Sequence, residues 1–115
     1  MLIPIKTALK ELQSSPSEFK ELFTHGSLSV EIYKPNKIDK QQPHERDEIY
    51  VVAAGTGTFY LNGKRSSFKT GDFIFVPAYA EHRFENFTDD FSTWVFFYGP
   101  KGCLLYTSPS PRDRG

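Results

Sequence analysis

Two histidines and a glutamate carry the clearest chemical potential in the sequence. His44 and His82 each lie at the edge of a predicted strand, and Glu48 follows His44 by four residues. Neutral imidazole nitrogen and carboxylate oxygen are the donor set of non-haem iron, manganese, zinc or nickel sites. Two imidazoles and one carboxylate on one face leave coordination positions open for substrate or water. A His-x-x-x-Glu spacing also arises often by chance. The chemistry therefore depends on whether the surrounding elements bring these side chains together. Between them, Glu45, Arg46 and Asp47 suit either a solvated loop or the mouth of such a site.

Those elements must fit within one small domain. The chain has 115 residues, enough for a single core but not for two. Its formal net charge is +0, with no basic or acidic block, so no nucleic-acid partner is expected. No apolar run reaches the length of a transmembrane helix, so no membrane partner is expected either. The opening MLIPIKTALKELQ lacks the apolar stretch and cleavage site of a signal peptide, and a cytoplasmic location is the expectation. With Cys103 as the single cysteine, no intrachain disulfide can form. Eleven Phe and six Tyr, mostly in short alternating runs, favour a β-rich core.

Along the chain, KTALKELQSS reads as a short amphipathic helix with Leu9 and Leu12 on one face. SSPSEFKELF reads as a second helix. Ser15 is its N-cap, Pro16 its first residue and Glu18 the capping-box partner, with Phe19, Leu22 and Phe23 as the apolar stripe. Gly26 would stop it, and His25 would be a surface residue at its end. Residues 1–26 are thus expected to form a helical lead.

From residue 27 the pattern is β. SLSVEIYK alternates Leu28, Val30 and Ile32 against Ser29, Glu31 and Tyr33. EIYVVAAG follows the charged cluster, Asn62-Gly63 is a hairpin signal, and Gly71-Asp72 is a turn. Pro77 closes the strand of Phe73 to Val76, and STWVFFYG is the final strand. Residues 27–100 are expected to close into an all-β barrel. Beyond it the composition breaks. Residues 103–113, CLLYTSPSPRD, resemble the in-frame translation of a transposase-type sequencing adapter, and 101–115 are expected to be a non-native or disordered tail.

The motif positions resemble those of the cupins. In the first cupin motif a glutamate is followed by six residues and a glycine, as Glu48 and Gly55 are here. His44 takes the place of the second histidine. The first falls on Gln42, and the upstream glycine on Asn36. In the second motif Gly71, Pro77, His82 and Asn86 all fall in place, while Tyr79 stands where the family has its inner glycine. The resemblance implies a jelly-roll barrel (a double-stranded β-helix) with ligands pointing into its mouth. It puts Gln42 and His44 inward on one strand, with Glu48 opening the next. It also implies a divalent metal, Fe, Mn, Ni or Zn, held by Gln42, His44, Glu48 and His82.

Gln42 leaves three readings open, because an amide oxygen is a weaker donor than imidazole. It is a fourth or outer-shell group beside a His44/Glu48/His82 triad. Or the metal has been lost, and hydrogen bonds hold a ligand. Or a neighbour orients Gln42 and leaves an extra open position. The favoured function is a metal-dependent small-molecule enzyme of dioxygenase or isomerase type. The alternative is a non-catalytic metabolite-binding module without metal. A homodimer is expected from the resemblance, with Phe-rich outer strands as one candidate interface.

Other residues have structural readings. GTG at 55–57 is a β-turn, since no helix follows it. Arg46 and Arg83 are read as solvated, and Phe73, Phe75, Phe84, Trp94 and Phe96 as barrel or interface packing. Tyr50 shares strand parity with Glu48 and is a candidate cavity residue. Asn86 is expected to bond backbone near the barrel rim.

Overall fold

A computed structural model describes residues 1–100; the adapter-like stretch lies outside the described residues. The first helix is α1, Ile5–Gln13. Eight strands follow: β1 Phe19–His25, β2 Leu28–Tyr33, β3 Asp47–Ala54, β4 Gly57–Leu61, β5 Lys64–Phe68, β6 Phe73–Val76, β7 His82–Glu85 and β8 Ser92–Tyr98. They form two antiparallel sheets with strand orders β1-β2-β8-β3-β6 and β5-β4-β7. The all-β jelly-roll expectation holds in this architecture.

The second expected helix is instead strand β1. The error has an identifiable cause. Glu21 pairs with Glu31 and Phe23 with Val30, so Leu22 is an extra residue at a β-bulge. One inserted residue turns a period of two into the spacing of three and four that Phe19, Leu22 and Phe23 display. The capping signal is local: Ser15 Oγ accepts the Ser17 N–H at 3.2 Å, and no helix grows from it. Gly26, with φ of 58°, serves the tight turn between β1 and β2 rather than a helix end. His25 consequently ends a strand. The sheet system begins at residue 19, not 27.

The alternation in β2 serves two cores. Ile32 meets Ala8 and Leu12 of α1 on the outer face of the larger sheet, with Leu22 and Trp94 packed alongside. The opposite face carries Ser29, Glu31 and Tyr33 towards the second sheet. Between the sheets lies the main core, built on Tyr50, Phe59, Phe68, Phe84 and Phe91. The Phe84 ring is the hub, with centroids 4.8 Å from Tyr50, 4.9 Å from Phe59, 5.4 Å from Phe68 and 4.6 Å from Phe91. Such aromatic pairs add about 0.5–1.5 kcal/mol each beyond their buried area.

The turns fall where their residues indicate. Asn62 and Gly63 take φ of 48° and 90° between β4 and β5, and Gly71 takes 91° before β6. Gly55, in the GTG segment, is needed for space as well as for its φ of 100°. A Cβ there would lie 2.6 Å from Phe91 Cα. Asn86 is exposed and takes φ of 51° at the end of β7, so its place in the fold is a left-handed backbone turn.

Candidate metal centre

Two segments position the candidate ligands. Residues 34–46 form the loop before β3, and residues 77–81 connect β6 to β7. The Tyr79 N–H donates to the His44 carbonyl at 2.7 Å, and the Ala78 N–H to Asp47 Oδ1 at 2.9 Å. These bonds hold the His44 loop against the segment that leads into His82. Tyr79 adopts a φ of 68° to make its bond, the left-handed conformation the family's glycine would reach without a Cβ penalty.

The loop is also fastened from its other side. Asp39 is buried and accepts four hydrogen bonds: from Tyr33 O–H at 2.6 Å, the Phe84 N–H at 2.8 Å, the Gln41 side-chain amide at 3.0 Å and the Gln41 N–H at 3.1 Å. Arg46 is half-buried rather than solvated. Its Nε donates to the Gly99 carbonyl at 3.0 Å and its Nη2 to the Ser27 carbonyl. Together with Asp47, it ties the loop down. Arg83 does lie on the outer face, over the Tyr60 ring at 4.0 Å and bonded to Glu85 at 2.7 Å.

The result is a convergence of His44, Glu48 and His82, with one potential ligand atom from each lying within 4.8 Å of the other two. Glu48 Oε1 is 3.3 Å from His82 Nε2 and 3.8 Å from His44 Nε2. Donors that share an ion at about 2.0–2.2 Å stand about 3–3.5 Å apart, so a small contraction suffices. Glu48 and His82 are almost wholly buried, at 1% and 3% exposure. Both Glu48 oxygens and His82 Nε2 lack a hydrogen-bond partner; the 3.3 Å approach between them is not aligned as one. Buried groups of this kind are rarely left unpaired, and a dication facing all three would compensate them. The residues present therefore fit a divalent metal.

His82 is oriented for that role. Its Nδ1 lies 2.9 Å from the Ala80 carbonyl, so Nδ1–H donates there and leaves the Nε2 lone pair towards Glu48. Burial disfavours charge on His82, but the Glu48 carboxylate and the Ala80 carbonyl outweigh it and raise its pKa. His44 goes the other way. Burial and the neighbouring His82 lower its pKa despite the attraction of Glu48.

Gln42 is not part of this group. Residues 42 and 44 lie in a loop, not on a strand, so the period-two argument that paired them fails, and Gln42 is exposed. Gln41 faces inward instead. Its Oε1 accepts the Tyr50 hydroxyl at 3.0 Å and lies 3.2 Å from His44 Nε2. Tyr50 is fully buried beside the site, on the side its parity with Glu48 indicates.

The group opens into a cavity of about 320 Å³ lined by Phe19, Glu31, Tyr33, Val95 and Phe97 besides the site residues. Glu31 was missed as a site residue. Burial, reinforced by Glu21 and Glu48, pushes its pKa up to about 7. Its signal lay in the β2 alternation, where it shares a face with Ser29 and Tyr33. Larger concavities occur beside β5 and β6 and beneath α1, away from the ligand group.

Comparison with known proteins agrees with this architecture. A family model described as a cupin domain matches residues 29–98. An uncharacterized Streptomyces coelicolor protein is 25% identical over 79% of this chain and 89% of its own length. A Ralstonia eutropha protein provisionally named a mannose-6-phosphate isomerase superposes with a TM-score of 0.62 at 22% identity, covering 76% of this chain and 89% of that one. A chain from a study of DMSP lyases superposes at 0.61 with 27% identity, over 72% of this chain and 47% of that one. With the family model running from β2 to β8 and over all three converging residues, the chain belongs to the cupin domain family.

Proposed function

We propose that the protein binds one divalent metal, Fe, Mn, Ni or Zn, through His44, Glu48 and His82 and acts on a small molecule in the adjoining cavity. One observation carries this reading: three buried donor atoms, those of Glu48 and His82 Nε2, converge without hydrogen-bond partners. A bound metal would supply Lewis acidity and a template for an oxygen-bearing substrate. The chain's own residues supply the rest. Phe19, Val95 and Phe97 give the cavity an apolar lining. Glu31, with its pKa near 7, is suited to hold or release a proton beside a bound molecule. An isomerase or related lyase chemistry agrees with such a group, and with the names carried by the two structural neighbours. Dioxygenase chemistry uses the same donor set.

The active form in this reading is a cytoplasmic homodimer. The outer face of the larger sheet supports it, since Phe73 and Phe75 of β6 are 65% and 43% exposed there. Among the described residues no helix is long and apolar enough to cross a membrane.

Elemental analysis of the purified protein tests the proposal. Stoichiometric iron, manganese, nickel or zinc, removed by a chelator and restored on addition, is the expected result. Metal-free protein that still binds small molecules in the cavity would support a non-catalytic metabolite-binding module instead.

A further inference from the structure

The donor set above has three members, and the loop that carries His44 presents a fourth side chain to the same space. Gln41 lines the cavity with His44 and Glu48. Its amide cannot turn freely. Asp39 is a carboxylate that already accepts Tyr33 O–H and the Phe84 N–H, and its Oδ2 faces the Gln41 amide at 3.0 Å. An ionised carboxylate only accepts, so the Gln41 NH₂ must point at Asp39 and the carbonyl oxygen away from it. That oxygen points towards the site, where it accepts the Tyr50 hydroxyl at 3.0 Å and stands 3.2 Å from His44 Nε2. The second separation is that of two donors sharing one ion, about 3–3.5 Å. An amide oxygen has two lone pairs; Tyr50 uses one, and the other faces His44 Nε2, within hydrogen-bond distance until an ion displaces any proton between them.

We propose that Gln41, rather than Gln42, completes the donor set. Its Oε1 is the fourth ligand atom, and Asp39 is the positioning residue that aims it. This inference rests on the metal reading above and adds a selectivity to it. Two nitrogens and two oxygens make a harder site than three imidazoles and a carboxylate. Hard oxygen donors suit Mn(II), while imidazole suits Zn(II) and Ni(II). Gln41 thus shifts relative preference towards Mn(II) and away from Zn(II) and Ni(II).

Titration of the full chain with Mn(II), Zn(II) and Co(II) tests this, using wild type, Gln41→Ala, Gln41→His and Gln42→Ala. Loss of Gln41 should weaken Mn(II) binding about 10–100-fold, the range seen when a group supporting a metal site is removed. It should also shift the visible absorption of the Co(II)-loaded protein, which a role in packing alone would leave in place. Gln42→Ala, an exposed position, should change neither. Gln41→His should favour Zn(II) over Mn(II) relative to wild type. Unaltered affinity and spectrum in Gln41→Ala would overturn the inference while leaving the three-residue site standing. An equal loss in Gln42→Ala would also overturn it. Wild type that binds none of these ions would overturn the metal reading itself.

Discussion

Glu48 and His82 share a buried pocket in which neither has a complete set of partners, and the His82 proton governs how the site behaves with pH. The folded-state pKa of His82 is raised above its usual value. Its protonated pairing with Glu48 therefore stabilises the metal-free fold below about pH 6.5, and that contribution is lost as pH rises through the raised folded value. A metal must displace the same proton. Metal affinity should thus increase from pH 6 to pH 8, and metal-free stability should decline over that interval less steeply in His82→Gln. Competition titrations at several pH values, with parallel thermal melts, measure both. Glu31 acts in the opposite sense to an ordinary acid. Its pKa of about 7 means that the folded state holds a proton the unfolded state has already lost above about pH 4.5. Stability contributed through Glu31 falls as pH rises from there to about 7. Glu31→Gln should raise the melting temperature at pH 8 and change it little at pH 4.5. A larger gain at the acidic end would contradict the assigned burial.

Turns and close approaches decide which elements can form, and the glycines separate these two demands. Gly63 has φ of 90° with open space around its missing Cβ, whereas Gly55 has φ of 100° and would put a Cβ 2.6 Å from the Phe91 backbone. Gly63→Ala should destabilise by about 1 kcal/mol, the penalty of a left-handed alanine. Gly55→Ala should lose clearly more, about 3 kcal/mol, because backbone at Phe91 must also move. Denaturant unfolding of the two variants gives the comparison. Asn62-Gly63, Gly71-Asp72 and the final apolar strand were legible because their residues state local geometry. Strand β1 was not, since a bulge at Leu22 imitates helical spacing. The loop 34–46 was not legible either. Its course depends on Asp39, Arg46 and Asp47, whose partners lie up to 53 residues away in sequence. His44, Glu48 and His82, which the motif spacing singled out, converge in the structure, whereas Gln42, to which the same spacing gave an inward place, is exposed and Gln41 lines the cavity instead.

At the scale of the whole molecule, each sheet face has a distinct task. The inner faces enclose the aromatic core and leave the His44/Glu48/His82 group at one end. The outer face of the larger sheet is covered by α1 over β1 and β2, while Phe73 and Phe75 on β6 stay uncovered. If that face joins two copies, Phe75→Asp should shift the protein from dimer to monomer in sedimentation velocity while leaving metal stoichiometry intact. A wild-type monomer at micromolar concentration would refute the dimer and leave the site reading untouched.

The central claim is that one divalent ion is held by His44, Glu48 and His82. Calorimetric titration of chelator-stripped protein addresses it most directly, with wild type beside His44→Ala, His82→Ala and Glu48→Gln. The account predicts one ion per chain in wild type, binding abolished in both histidine variants, and weakened binding in Glu48→Gln, which removes the balancing charge. Equal affinity in wild type and in both histidine variants would contradict it.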